Sequence, residues 1–265
     1  MPDPLAVVSI EGRVGHLRLN RPDKRNALNV ALSRAVTEGM ERLDADPAVV
    51  VIVVEGTDGA FCAGADMEEA LAAEEAGEIN AGGAGRATSR VEASPKPLIA
   101  AIDGAAYGAG ALLACACDIR IVTDRSRFRF PGAEYGLVVG AVALPRLVGP
   151  ALAKELIFTS RVVEADEALR VGLANRVVTP DDLAETVEVM AQAIASASPE
   201  ALRWSKATIN AAVSGGDAAA LERQADLLLR GGEDHVRRFT VATHRVTGRG
   251  AGGAGGNGGA DGAAR

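Results

Sequence analysis

The stretch that decides the fold is Ile102–Asp118, which reads IDGAAYGAGALLACACD. It continues the apolar run Pro97–Ile102, a pattern typical of a buried strand, and Asp103-Gly104 ends that strand. The small residues Gly108-Ala109-Gly110 predict a bend, and Ala111–Ala114 favours a helix. The first amides of such a helix lack partners and the helix dipole favours negative charge there, so a ligand could bind them. Close packing of the helix on a sheet would need the same small residues, and this stretch alone supports both interpretations.

A second bend of this kind follows the strand predicted at Val49–Glu55. The run is β-branched at nearly every position, as expected for a parallel strand that is covered on both faces. It leads into the glycine- and alanine-rich segment Gly56–Asp66 and then into a helix. Ligands of open α/β sheets bind beyond the carboxyl ends of the strands, where such loops meet. The sequence therefore predicts an α/β fold with a ligand site at the two bends.

Composition limits the function classes. The chain has 265 residues, of which 48% are hydrophobic, enough to bury a full core as one large domain or as one domain plus an extension. A formal net charge of -7 argues against nucleic acid bound through a basic surface, so phosphates of a ligand would need local cations. Three cysteines and three scattered histidines predict neither a metal site nor a disulfide framework. Because no secretory signal or membrane-spanning run is recognisable, we expect a cytoplasmic protein without a membrane partner.

The remaining pattern alternates strands and helices up to Val178, and helical periodicity continues over Pro199–Thr247. Asn29 is a suitable N-cap for a helix over residues 30–44. The acidic, alanine-rich segment 68–90 is interrupted by glycines, and we expect it either to cover a pocket or to lie at the surface.

The chain divides into three parts by composition. We assign residues 1–197 to the core and residues 198–247 to a C-terminal helical region. Residues 248–265 form a glycine- and alanine-rich tail. The tail has too few apolar side chains to offset its ordering entropy, so we expect it to be disordered.

Five stretches carry a family resemblance: Leu19–Asn29 (LNRPDKRNALN), Gly59–Met67 (GAFCAGADM), Asp103–Asp118, Phe128–Leu137 (FRFPGAEYGL) and Ser198–Lys206 (SPEALRWSK). In this order they resemble the enoyl-CoA hydratase/isomerase family, the crotonases. The resemblance implies a spiral of repeated β-β-α turns with a C-terminal helical extension that helps to build a homotrimer or a dimer of trimers. It also implies an acyl-CoA thioester as the substrate and no prosthetic group, since the substrate carries coenzyme A.

The resemblance also assigns site residues. The backbone N–H groups of Ala65 and Ala109 would form an oxyanion hole, with the thioester oxygen within ~2.7–3.1 Å of both donors. Lys24 and Arg25 would lie near the phosphates of coenzyme A; as an alternative, they are an ordinary solvated pair. The residues that would line its adenine and pantetheine are Ala27, Ala63, Gly64 and Asp66.

Two departures from the family pattern concern the reaction itself. A family hydratase has glutamates at the positions that Leu112 and Gly132 occupy here, and a general acid or base usually contributes ~10²–10⁴ in rate. Glu134 is a candidate replacement, since Gly132 leaves room for a neighbouring side chain; a surface or salt-bridged carboxylate is the alternative. The weaker candidates are Glu68, Glu69 and Tyr135, and core packing is the simpler role for Tyr135.

Three hypotheses follow. The first is an acyl-CoA enzyme of fatty acid metabolism, a lyase or isomerase of the enoyl-CoA hydratase/isomerase type with relocated acid and base groups. The second is a non-catalytic acyl-CoA-binding protein. The third, a nucleotide-dependent oxidoreductase that uses Gly108-Ala109-Gly110, is disfavoured because Leu113 stands where a dinucleotide fingerprint needs its third glycine.

Overall fold

The computed structural model describes residues 3–77 and 83–247. The strands are β1 (Ala6–Glu11), β2 (Val14–Leu19), β3 (Val51–Glu55), β4 (Leu98–Ile102), β5 (Ala105–Tyr107), β6 (Ile119–Thr123), β7 (Arg127–Arg129), β8 (Val163–Glu164) and β9 (Arg176–Val178). The α-helices are α1 (Val30–Ala45), α2 (Met67–Glu75), α3 (Ala84–Glu92), α4 (Ala109–Ala116), α5 (Ala143–Val148), α6 (Pro150–Thr159), α7 (Ala165–Arg170), α8 (Leu183–Ala195), α9 (Pro199–Ser214), α10 (Ala218–Leu229) and α11 (Glu233–Thr247). Short 3-10 turns lie at Pro22–Lys24 and Ala133–Tyr135.

The strands form two sheets. Six of them make the main sheet in the order β1-β2-β3-β4-β6-β9, in which only the β1–β2 pair is antiparallel. The second sheet has the order β5-β7-β8. Gly104, with φ +71°, turns the chain from β4 into β5, and a Cβ there would lie 2.1 Å from the carbonyl oxygen of Gly59. Strand β5 was not predicted, because a strand of three residues leaves no periodic signal in the sequence.

Strand β3 is buried on both faces, as its β-branched pattern predicts. Ile52 and Val54 belong to the core on the side of α1, α3 and α4. Val51 and Val53 belong to a smaller cluster on the opposite face, which α8 covers through Val187. The main sheet therefore lies between two layers of helices, and the α/β prediction is confirmed.

The N-cap prediction for α1 is also confirmed, because the Asn29 side chain accepts a hydrogen bond from the Leu32 N–H at 2.8 Å. Helix α3 was expected over a pocket or at the surface, but it packs into the core instead. Ala87 and Val91 are fully buried, and Arg90 pairs with Asp44 on α1 at 2.6 Å. The rest of segment 68–90 includes residues 78–82, which lie outside the described residues.

The C-terminal helices α9, α10 and α11 occupy the region predicted to be helical. Lys206 attaches α9 to the core: its ammonium group lies 2.9 Å from Asp118 and donates to the Lys96 carbonyl at 2.9 Å. Large apolar side chains on these helices face outward; they include Ile209, Leu227, Leu228, Phe239 and Val246. The predicted disordered tail, residues 248–265, lies outside the described residues. No helix of the described part is long and apolar enough to cross a membrane.

Candidate functional site

The backbone around Ala65 is held from one side by the loop that precedes α1. Leu28 donates its N–H to the Gly64 carbonyl at 2.7 Å, and its own carbonyl accepts the Asp66 N–H at 3.0 Å. This pattern is a parallel bridge between Leu28 and Ala65. Because Leu28 bonds to the residues on either side of Ala65, the N–H of Ala65 itself points away from Leu28.

On its other side the same loop is joined to β5. Cys62 donates its N–H to the Ala105 carbonyl at 2.9 Å and accepts the Tyr107 N–H at 3.1 Å. Helix α4 then starts directly against this loop, because a Cβ on Gly110 would lie only 2.2 Å from the carbonyl oxygen of Cys62. A glycine at position 110 is therefore required for this contact.

The amide of Ala109 lies beside the loop that carries Ala65. Gly64 has φ +113°, and a Cβ there would be 2.9 Å from the Tyr107 carbonyl oxygen and 3.8 Å from the Ala109 nitrogen. The preceding amide, that of Gly108, donates a hydrogen bond to the Arg129 carbonyl at 2.9 Å. Within residues 3–77 and 83–247, neither the N–H of Ala65 nor the N–H of Ala109 has a hydrogen-bond acceptor. The two bends predicted from the sequence thus meet, and they present two amides without an internal partner.

The wall next to α4 is apolar at the two positions where the family pattern has glutamates. Leu112 is half-buried, and its Cδ2 would lie 3.4 Å from a Cβ on Gly140. Gly132 is buried, and a Cβ there would come within 2.8 Å of the Cβ of Val139. The expectation that Gly132 leaves room for a neighbouring side chain needs correction: Val139 fills that space.

Glu134 lies on the 3-10 turn that follows Gly132. Its carboxylate accepts a hydrogen bond from the Arg129 guanidinium at 2.5 Å, and 44% of the side chain is exposed. The alternative of a salt-bridged carboxylate thus describes its present contacts, and a role in proton transfer stays a prediction. The prediction that Tyr135 packs in the core was wrong, because this residue is 50% exposed.

The two candidate phosphate-binding cations differ in their contacts. Lys24 is exposed, and its ammonium group forms an ion pair with Glu68 at 2.8 Å, which raises the pKa of Lys24. Arg25 has a left-handed backbone with φ +49°, and its carbonyl accepts the Ala63 N–H at 3.0 Å. The Arg25 guanidinium is exposed and donates no hydrogen bond to the described part of the chain. The binding of a ligand phosphate by Lys24 or Arg25 stays a prediction.

Asp66 is committed to contacts within the protein. It is 8% exposed, and its carboxylate pairs with Arg21 at 2.6 Å. The same carboxylate caps α2 by accepting the N–H groups of Glu68 and Glu69. The hydrogen bond from Arg21 is the main cause that lowers the pKa of Asp66. Arg21 also donates to the Ala27 carbonyl at 3.0 Å, so one guanidinium joins two of the predicted coenzyme A contacts.

Asn26 shapes this site in a way that was not predicted from the sequence. Asn26 is fully buried in a left-handed conformation with φ +57°. Its side chain accepts the Arg21 N–H at 2.9 Å and donates to the carbonyls of Ala60 at 2.7 Å and Thr57 at 3.2 Å. An asparagine between a proline-containing turn and an apolar stretch is a usable signal, because asparagine tolerates the left-handed region better than most residues.

Two cavities formed by described residues lie away from the bends. One of about 1060 Å³ is formed by α9, α10 and α11, and one of about 570 Å³ lies between α4, α5 and α9. Neither is lined by Ala65 or Ala109. Over the described ranges, no group of three or more histidine, cysteine or acidic side chains is arranged to hold a metal ion.

Known proteins share this architecture. The family model described as enoyl-CoA hydratase/isomerase matches residues 9–238. A crotonyl-CoA hydratase of Syntrophomonas wolfei is 39% identical over 210 residues, covering 77% of this chain and 80% of that protein. A short-chain-enoyl-CoA hydratase of Clostridium acetobutylicum is 37% identical over 209 residues, with 77% and 80% covered. A crystal structure of an enoyl-CoA hydratase from Bacillus anthracis has a TM-score of 0.84 at 30% identity, covering 91% of this chain and 96% of that one, which confirms the crotonase-like fold.

The contact between Gly110 and Cys62 predicts the effect of adding one methyl group. Gly110→Ala should lower the free energy of unfolding by about 1–3 kcal/mol, because α4 must move away from the loop. Gly85→Ala on α3 is the matched control, since a Cβ there meets nothing within 4 Å. The control should raise the free energy of unfolding by about 0.5–1 kcal/mol. Urea unfolding of both variants measures this, and equal effects would contradict the close approach.

The ion pair of Asp66 predicts a pH-dependent contribution to stability. Because its pKa is lowered in the folded state, the ionised carboxylate stabilises the fold fully above its unfolded pKa of about 3.9. This contribution is lost as the pH falls through the lower, folded pKa. The difference in unfolding free energy between wild type and Asp66→Asn should therefore be constant near neutral pH and shrink below about pH 4. The pH dependence should weaken in an Arg21→Met background, and a difference that does not change with pH would refute the assignment.

Proposed function

The chain belongs to the enoyl-CoA hydratase/isomerase family, and from this premise we propose that it acts on an acyl-CoA thioester whose carbonyl oxygen binds the amides of Ala65 and Ala109. The observation that carries the proposal is the meeting of the two bends. The Ala109 amide lies beside the loop that carries Ala65, and neither amide has a partner in the described ranges. Such amides in a partly buried position are suited to a ligand oxygen that gains negative charge.

The chemistry follows from where that charge develops. Loss of a proton from the α carbon, or addition of the oxygen of water at the β carbon of an enoyl thioester, turns the thioester carbonyl oxygen into an enolate oxygen. A proton added at the α carbon then restores the carbonyl. Backbone donors already in place stabilise this oxygen without reorganisation, and each is typically worth ~2.7–4 kcal/mol in the transition state. Because the donors belong to the main chain, alanine serves at positions 65 and 109 as well as glycine would.

Glu134 is our candidate for the group that moves the proton. By the family resemblance, Leu112 and Gly132 stand where a hydratase has its two glutamates, and both positions are apolar here. Glu134 is two residues from Gly132 along the chain, and Arg129 restricts its carboxylate. The apolar wall favours an acyl chain over a water molecule.

Coenzyme A would bind along the loop that Arg21 and Asn26 hold in place. We propose that Lys24 and Arg25 contact its phosphates, and that adenine and pantetheine run along Ala27, Ala63, Gly64 and Asp66. The ion pair between Lys24 and Glu68 is exposed, so a phosphate can replace the carboxylate at little cost. The Asp66 carboxylate is bonded to Arg21, and its N–H and carbonyl are bonded to Leu28 and Ala70, so its contact with coenzyme A would be through packing.

A non-catalytic acyl-CoA-binding protein is the second candidate. It is favoured by the side chain of Val139 beside Gly132 and by the ion pair that occupies Glu134. The hydratase names of relatives at 37% and 39% identity favour an enzyme of the lyase type. We therefore rank the enzyme first.

Assembly and location are part of the proposal. The outward-facing apolar side chains of α9, α10 and α11 support a contact with further copies of the chain, as a homotrimer or a dimer of trimers. We place the protein in the cytoplasm, where acyl-CoA substrates of fatty acid metabolism would reach it.

A panel of 2-enoyl-CoA and 3-enoyl-CoA thioesters separates the two candidates. A hydratase or isomerase should consume at least one of them. Absorbance measures the loss of the conjugated 2-enoyl thioester on hydration, or its formation from a 3-enoyl thioester on isomerisation. Glu134→Gln should lower turnover ~10²-fold or more without weakening coenzyme A binding, because it removes only proton transfer.

The matched control is Glu164→Gln, which removes another exposed carboxylate that pairs with an arginine of β7. Its turnover should equal that of the wild type. If the protein binds the thioesters but converts none of them, the result would favour the non-catalytic acyl-CoA-binding protein. Unchanged turnover in Glu134→Gln would remove Glu134 from the mechanism.

A further inference from the structure

Arg129, at the end of β7, contacts three separate parts of the site. Its carbonyl accepts the N–H of Gly108, the residue before Ala109, at 2.9 Å. Its Nε donates to the Ser160 carbonyl at 2.8 Å, and its Nη2 donates to Glu134 at 2.5 Å. One residue thus connects the turn before α4, the end of α6 and the candidate proton-transfer group.

The backbone contact matters because Gly108, as a glycine, does not restrict its own conformation. Its φ of +50° lies in the region that favours glycine, and glycine restricts its own backbone least. The Gly108 carbonyl accepts the Leu112 N–H at 3.1 Å, so the peptide plane that carries the Ala109 amide moves together with α4. The carbonyl of Arg129 attaches this unit to β7, while Tyr107 attaches it to the Cys62 loop.

The side chain of Arg129 in turn fixes its own backbone. Its side chain is 30% exposed, and one of its two partners is the carbonyl of Ser160, a residue that is 4% exposed and ends α6 in a left-handed conformation. Arg127 on the same strand differs. Its side chain is 56% exposed and forms an ion pair with Glu164 at 3.0 Å.

We propose that Arg129 is a positioning residue that sets the direction of the Ala109 amide in the oxyanion hole. The inference rests on the proposed function, since it assumes that a thioester oxygen binds this amide. The side chain acts through its own backbone carbonyl: bonds to Ser160 and Glu134 hold β7 where that carbonyl keeps Gly108, and hence the start of α4, in place. Loss of these bonds lets the amide turn away from the ligand oxygen.

The test measures how strongly the site polarises a bound carbonyl. The probe is crotonyl-CoA labelled with ¹³C at the thioester carbon, and the carbon chemical shift is recorded free and bound to the full-length protein. In the wild type, binding should move the signal downfield. Arg129→Met should lose most of that displacement, while Arg127→Met should keep it. Arg129→Lys retains one donor and should give an intermediate value.

Turnover provides a second measurement. Where the wild type consumes an enoyl-CoA, Arg129→Met should lower kcat ~10-fold and leave KM nearly unchanged, because a small misplacement affects the transition state most. The loss should persist in a Glu134→Gln background, since the effect passes through the Gly108 turn. Thermal unfolding establishes that each variant is folded, and Arg129→Lys serves if the methionine variant is not.

The outcomes separate the inference from its premise. A wild-type complex without a downfield displacement contradicts the proposed oxyanion hole itself. A displaced signal that is equal in wild type and Arg129→Met contradicts only the role of Arg129. If Glu134→Gln alone loses as much of the ¹³C displacement as Arg129→Met, the ion pair acts on the carbonyl through the carboxylate, which also overturns the inference.

Discussion

The close approach of helix α4 to the loop after β3 is the constraint on which the rest of the site depends. The backbone at Gly110 comes so near the Cys62 carbonyl that no side chain fits between them. Gly64 meets the Tyr107 carbonyl in the same way from the opposite segment. These contacts use small residues to bring two backbones together, and the amides of Ala65 and Ala109 lie at the place where they meet.

Hydrogen bonds from the surrounding segments hold that contact in place. Leu28 bonds across Ala65, and the buried side chain of Asn26 fixes the turn before it. Arg21 links the same turn to Asp66 at the start of α2. Arg129 attaches the start of α4 to the second sheet. The proposed oxyanion hole consists of main-chain donors and needs such support, because no side chain can adjust their position later.

Local sequence patterns were sufficient to predict most of the elements and the two bends. The β-branched run at β3, the N-cap at Asn29 and the glycine-rich start of α4 each carry a signal within a few residues. Strand β5 was too short for periodicity to reveal. The ion pair between Lys24 and Glu68 and the contact of Val139 with position 132 depend on tertiary packing, which no local pattern contains. For that reason the meeting of the two bends could be predicted, whereas the environments of Glu134 and Tyr135 could not.

A crystal structure of the protein with a bound acyl-CoA would show whether the two amides form an oxyanion hole. We expect a thioester oxygen within ~2.7–3.1 Å of the nitrogens of both Ala65 and Ala109, with the acyl chain against Leu112. A carbonyl oxygen bound elsewhere, or only one of the two amides within reach of it, would refute the oxyanion hole.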